Sequence, residues 1–80
     1  MREEAARLRW RCRRGMREVE LLLEGFLDRE FHRLDGEQRA AFARLLESPD
    51  QQLLAYFHGR AEPVDDEVKR IVARIRSALS

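Results

Sequence analysis

Residues 7–27 read RLRWRCRRGMREVELLLEGFL, and this stretch decides the fold. Ahead of Gly15, Ala5, Leu8 and Cys12 fall at helical spacing on one face, which predicts a helix from about Glu3 to Arg13. Beyond it, Met16, Val19, Leu22, Leu23, Phe26, Leu27 and Phe31 form an apolar stripe, which predicts a second helix from about Met16 to His32. A stripe that wide faces neighbours on two sides. Gly15 is the natural break between the two, because glycine enters the left-handed conformation that ends a helix. Gly25 lies inside the second helix, where an exposed glycine costs about 1 kcal/mol relative to alanine. It marks a bend or a close packing contact.

The pattern continues outward. Asp35 followed by Gln38 forms a capping-box signal for a third helix running to about Glu47, with Ala41, Phe42, Leu45 and Leu46 inward. Ser48-Pro49-Asp50 signals a fourth start, with Ser48 as the expected cap and Pro49 in the first turn. That helix ends near His58-Gly59 and turns Leu53, Leu54 and Phe57 inward. Asp65 or Asp66 caps a fifth helix reaching about Leu79, on which Val68, Ile71, Val72, Ile75 and Leu79 share one face. The expected architecture is all-α, five helices in a single domain spanning residues 1–80.

Composition narrows the function classes. Apolar residues make up 44% of the 80 residues and charged residues 39%, too much apolar material for a disordered chain. The net charge of +1 conceals an uneven distribution. Residues 1–17 carry seven Arg against two Glu, a local charge of +5; residues 18–37 carry seven acids against two Arg, a local charge of −5. Such asymmetry suits an oriented protein partner better than a nucleic-acid backbone, which the acidic second helix would repel. A single cysteine, Cys12, allows no intramolecular disulfide and fits a reducing compartment. No apolar run approaches membrane-spanning length, and no secretory signal is evident, so the expected location is cytoplasmic with no membrane insertion.

Candidates for chemistry are few. Cys12 lies on the apolar side of the first helix and reads as a buried, inert thiol. His32 and His58 stand alone at helix C-terminal ends, a favourable place for a cation, and share no metal-ligand spacing with Cys12. No glycine-rich phosphate loop is present to hold a nucleotide or flavin. The distinctive stretch is residues 7–18, which sets one large aromatic among six arginines. Trp10 lies off the face shared by Ala5, Leu8 and Cys12. Two readings stay open: an exposed binding anchor, or a tryptophan packed on another helix beneath a solvated basic face.

Arg14-Gly15-Met16-Arg17-Glu18 has the form R-G-x-x-E, preceded by Trp10 in W-x-x-R-R-G. Phe42 to Glu47 reads F-x-R-L-L-E, and Pro49 to Leu53 reads P-D-x-x-L. Tyr56-Phe57, Gly59, Pro63 and V-x-x-I-R at Val72 to Arg76 follow in order. In these motifs, and over nearly its whole length, the chain resembles the SdhE family of FAD assembly factors, also met under older names as an antitoxin. Gly25 departs from the family pattern, which often has proline before the phenylalanine.

The resemblance implies a five-helix chaperone that is not itself an enzyme. It implies binding to the flavoprotein subunit of succinate dehydrogenase, or of fumarate reductase, and promotion of covalent FAD attachment there. The FAD belongs to the partner, and no cofactor is expected to be held stably by this chain. The R-G-x-x-E residues would face the partner, so Arg14, Gly15 and Glu18 are the central candidates, with Arg7, Trp10, Arg11, Met16 and Arg17 completing the face. Arg14 is expected to bond a carboxylate of the partner. Glu18 is expected to pair with a partner arginine or to orient Arg14. A functional monomer is expected; an antitoxin-like or regulatory protein binder and a small nucleic-acid binder are the alternatives.

Overall fold

A computed structural model describes residues 2–78. Five α-helices follow one another: α1 (Arg2–Arg11), α2 (Arg17–Glu30), α3 (Gly36–Leu45), α4 (Asp50–Phe57) and α5 (Asp66–Ser77), with a single 3₁₀ turn, Phe31–Arg33, after α2. No strand occurs among the described residues. The molecule measures 33 × 27 × 24 Å.

The helix starts and stops follow local chemistry. The Asp35 side chain accepts from the Gln38 amide at 2.8 Å while the Asp35 amide donates to the Gln38 side chain at 2.9 Å, so the expected capping box opens α3. Asp65 caps α5, accepting from the amides of Glu67 and Val68. At the end of α4, Gly59 takes φ +75°. The Arg60 amide donates to the Ala55 carbonyl and the Gly59 amide to that of Tyr56, the paired closure that left-handed glycine permits.

Several boundaries differ from expectation. α1 ends at Arg11, two residues early, its last turn tightening as the amides of Cys12 and Arg13 bond the carbonyls of Arg9 and Trp10. α2 tightens into the 3₁₀ turn before His32. α3 ends at Leu45, short of Glu47. Ser48 does not cap α4: Pro49 occupies that position and no side chain bonds the first amides. The expected inward position of Leu79 lies outside the described residues.

One core joins all five helices. It holds Leu8 and Cys12 from α1 and its exit, Val19, Leu23, Phe26 and Leu27 from α2, and Ala41, Phe42, Leu45 and Leu46 from α3 and its end. Leu53, Tyr56 and Phe57 come from α4, and Val68, Ile71, Val72 and Ile75 from α5. Leu34 and Tyr56 are buried although neither was placed inward from spacing. The Phe26 and Phe42 rings stack with centroids 5.6 Å apart, joining α2 to α3. Each fully buried Leu, Ile or Phe contributes about 1.5–3 kcal/mol. Met16, Leu22, Phe31 and Leu54 pack only partly against this core. Arginine–carboxylate pairs tie the helices at the surface: Arg9 with Asp28, Arg44 with Asp65 at 2.9 Å, and Arg74 with Glu30 at 2.5 Å.

Candidate functional site

The link between α1 and α2 is built on Gly15, whose φ is +87°. A side chain there is strained whatever the space around it, yet a Cβ would meet nothing within 4 Å. The glycine is therefore required by backbone handedness, and the surface over it is open.

Arg14, the residue before it, turns inward. Its side chain is 17% exposed and every arm of the guanidinium is used. Nε donates to the Asp50 carboxylate, Nη1 to the Leu46 carbonyl at 2.7 Å and Nη2 to the Ser48 carbonyl at 2.5 Å. A planar fork serves three acceptors spread around its edge, a fixed geometry that a lysine ammonium does not reproduce. These carbonyls lie where α3 ends and have no helical partners, so Arg14 also supplies the cation that the end of α3 favours. Where a carboxylate of a partner was expected, Nε, Nη1 and Nη2 of Arg14 each donate to an acceptor within the chain.

Glu18 does not orient Arg14 either. Its Oε2 stands 3.0 Å from Nε2 of His58, an exposed pair linking the start of α2 to the end of α4. The carboxylate that reaches the turn is Glu20, whose Oε2 accepts from the amides of Arg14 at 2.9 Å and Gly15 at 2.5 Å.

The other candidates are distributed as follows. Trp10 is 70% exposed with the Arg13 guanidinium 5.5 Å from its ring centre, so it is not packed beneath another helix. Arg7 is exposed and 3.8 Å from Glu3 on its own helix. Arg11 donates to the Ala43 carbonyl at 3.3 Å. Met16, the N-cap of α2, is half-buried against the core. Arg17 is exposed, and its side chain makes no hydrogen bond or ion pair among the described residues. Cys12 is fully buried with its thiol 3.2 Å from the Leu8 carbonyl, and burial pushes its pKa up to about 12. It holds no reactive thiolate near neutrality.

Among the described residues no group of His, Cys, Asp and Glu is placed to hold a metal ion. No helix among the described residues is long and apolar enough to cross a membrane. Glu20, Asp50 and His58 are the residues that spacing did not single out. Glu20 had one signal, a carboxylate five positions after the helix-breaking glycine; Asp50 and His58 had only their own helix ends, since their partners lie far away in sequence.

Comparison with known proteins agrees with the motif pattern. Residues 6–79 match the family described as flavinator of succinate dehydrogenase (Sdh5). The chain is 42% identical over 71 residues to a FAD assembly factor SdhE of Shewanella oneidensis, covering 89% of this chain and 87% of that protein. It is 45% identical over 74 residues to one of Legionella pneumophila, with 92% of each chain covered. It is 42% identical over 72 residues to one of Pseudomonas aeruginosa, covering 90% of this chain and 86% of that protein. Family match and relatives converge: the chain belongs to the succinate dehydrogenase flavinator family.

Proposed function

We propose that this protein is a FAD assembly factor that docks on the flavoprotein subunit of succinate dehydrogenase through the surface around Gly15 and promotes covalent flavin attachment there. The observation that carries the docking surface is the open turn itself. Gly15 has no neighbour within reach of a Cβ, and exposed Trp10 and uncommitted Arg17 lie five residues before it and two after. Partner backbone can approach a glycine more closely than any other residue. A rigid aromatic and an arginine beside such an opening are the composition of an interface centre.

The factor acts by holding the partner in a pose from which the flavoprotein completes the bond. Arg14 contributes by fixing the turn rather than by touching the partner. Glu18 exchanges His58 for a cation of the partner, a substitution of one exposed pair by another.

The test is co-expression of the tagged chain with the succinate dehydrogenase flavoprotein subunit of the same organism, followed by flavin fluorescence of the denatured subunit. The expected result is capture of the subunit and covalent flavin that falls with Gly15→Arg. Gly15→Ala shares the backbone strain but lacks the bulk, and retains most of the capture. Absence of capture and unchanged flavin overturn the reading, and a protein partner of another kind then takes its place.

A further inference from the structure

The R-G-x-x-E pattern stops at Glu18, but the geometry points to Glu20 as the positioning residue of the docking turn; this rests on the docking surface proposed above. Glu20 engages the turn twice. Its own amide donates to the Met16 carbonyl at 3.0 Å, and its carboxylate accepts from the amides of Arg14 and Gly15. Arg14, Gly15 and Met16 are thus each bonded to one residue in the first turn of α2, the first two by its side chain. Two successive amides aimed at one oxygen form a small anion-binding concavity, and here the anion belongs to the chain itself.

The need for such a grip is specific to this place. Glycine is the residue with the most conformational freedom to lose. Met16 precedes α2 in an extended conformation with no side-chain cap, so the cap position itself gives the turn no restraint. The Arg14 guanidinium anchors the turn to the α3–α4 junction, but it leaves the peptide planes at Arg14 and Gly15 to be set by Glu20. With both restraints present, Gly15, Arg17 and Glu18 are delivered in one arrangement. Pre-ordering of this kind raises affinity without adding a contact.

The experiment compares Glu20→Ala and Glu20→Gln with the parent in the full chain, reading partner affinity by titration calorimetry and amide hydrogen exchange by NMR. Glutamine keeps an acceptor oxygen at the same reach; alanine does not. The expected result for Glu20→Ala is affinity reduced about tenfold or more, the scale on which pre-organisation acts. Arg14 and Gly15 amides then exchange faster while core amides such as Phe42 and Ile71 keep their protection. Glu20→Gln should lie much nearer the parent on both readings. If Glu20→Ala does not fold, Glu20→Asp, which keeps the charge and loses reach, takes its place in the comparison. Parental affinity in the alanine variant, or loss of core protection together with the turn in Ala and Asp variants alike, overturns the positioning role and leaves the docking surface standing. A parent chain that does not bind the flavoprotein overturns the docking surface and the positioning role together.

Discussion

Arg14 and Asp50 are thirty-six residues apart in sequence and joined side chain to side chain, the arginine from the loop after α1 and the aspartate from the first turn of α4. The pair is largely shielded, with side-chain exposures of 17% and 28%. Charge-assisted hydrogen bonds contribute about 1.5–3 kcal/mol each, and leaving a buried partner unpaired is worse than never having it. Arg14→Ala should therefore lower unfolding stability by about 2–3 kcal/mol. Arg14→Lys should recover only part, because an ammonium does not reproduce the fixed geometry of the fork. Urea unfolding with an unchanged m value checks both.

Two glycines should respond to alanine with opposite signs. At Gly15 the φ of +87° makes Gly15→Ala destabilising by about 1–2 kcal/mol. At Gly25 the backbone is helical and the only close neighbour of a new Cβ is the tip of the Arg29 side chain at 3.1 Å, which can swing away. Gly25→Ala should stabilise by about 0.5–1 kcal/mol. Thermal unfolding of the two variants side by side is the measurement, and the same sign for both would contradict this account.

Cys12 should resist thiol reagents in the folded protein. With the thiol raised from 9.0 to about 12, labelling at pH 8 should proceed only through unfolding, and its rate in urea should follow the unfolded fraction. The raised value also has a direction in pH. The folded state favours the neutral thiol, so this contribution is complete below pH 9 and is lost as pH rises towards 12. Relative to Cys12→Ala, the parent should lose stability above pH 9 at up to about 1.4 kcal/mol per pH unit.

On the acid side the carboxylates of Glu30 and Asp65 contribute. The hydrogen bond from Arg74 holds Glu30 below its usual 4.5, and that from Arg44, aided by the Val68 amide, holds Asp65 below 3.8. Depressed values give stability that is present above the ordinary carboxylate range and lost as pH falls through the folded values. Glu30→Gln and Asp65→Asn should each flatten the acid limb of a stability–pH curve. An unaltered limb in both would exclude these pairs as its source.

Trp10→Ala should change stability by no more than about 0.5 kcal/mol, the ordinary range for surface positions. Capture of the flavoprotein should fall sharply, since large exposed aromatics at interface centres contribute about 2 kcal/mol or more. Equal capture by parent and variant would remove Trp10 from the docking surface.

The helices and most of the core were legible in the sequence, because Val68, Ile71, Val72 and Ile75 or Val19, Leu23, Phe26 and Leu27 follow a period that only a helix satisfies. Leu34 and Tyr56 escaped because one sits in a loop and the other carries a polar tip; their burial depends on what packs over them. At the candidate site, Gly15 was readable from local backbone chemistry, and the structure adds its φ. The commitment of Arg14 to Asp50, and of Glu18 to His58, was not readable. Each joins elements whose meeting is a property of the whole packing, and spacing along the chain carries no record of it.

The Arg9–Asp28 tie has a consequence for how this protein meets its partner. It joins the basic opening segment to the acidic one that follows, cancelling charge within the molecule. Beyond a Debye length of about 8 Å at physiological ionic strength, opposite charges held so close present almost no field. That pair steers no approaching partner, and the steering left to the basic segment comes from exposed arginines such as Arg7, Arg11 and Arg17. Raising the salt concentration should therefore slow the association of a partner more than it shortens the lifetime of the complex.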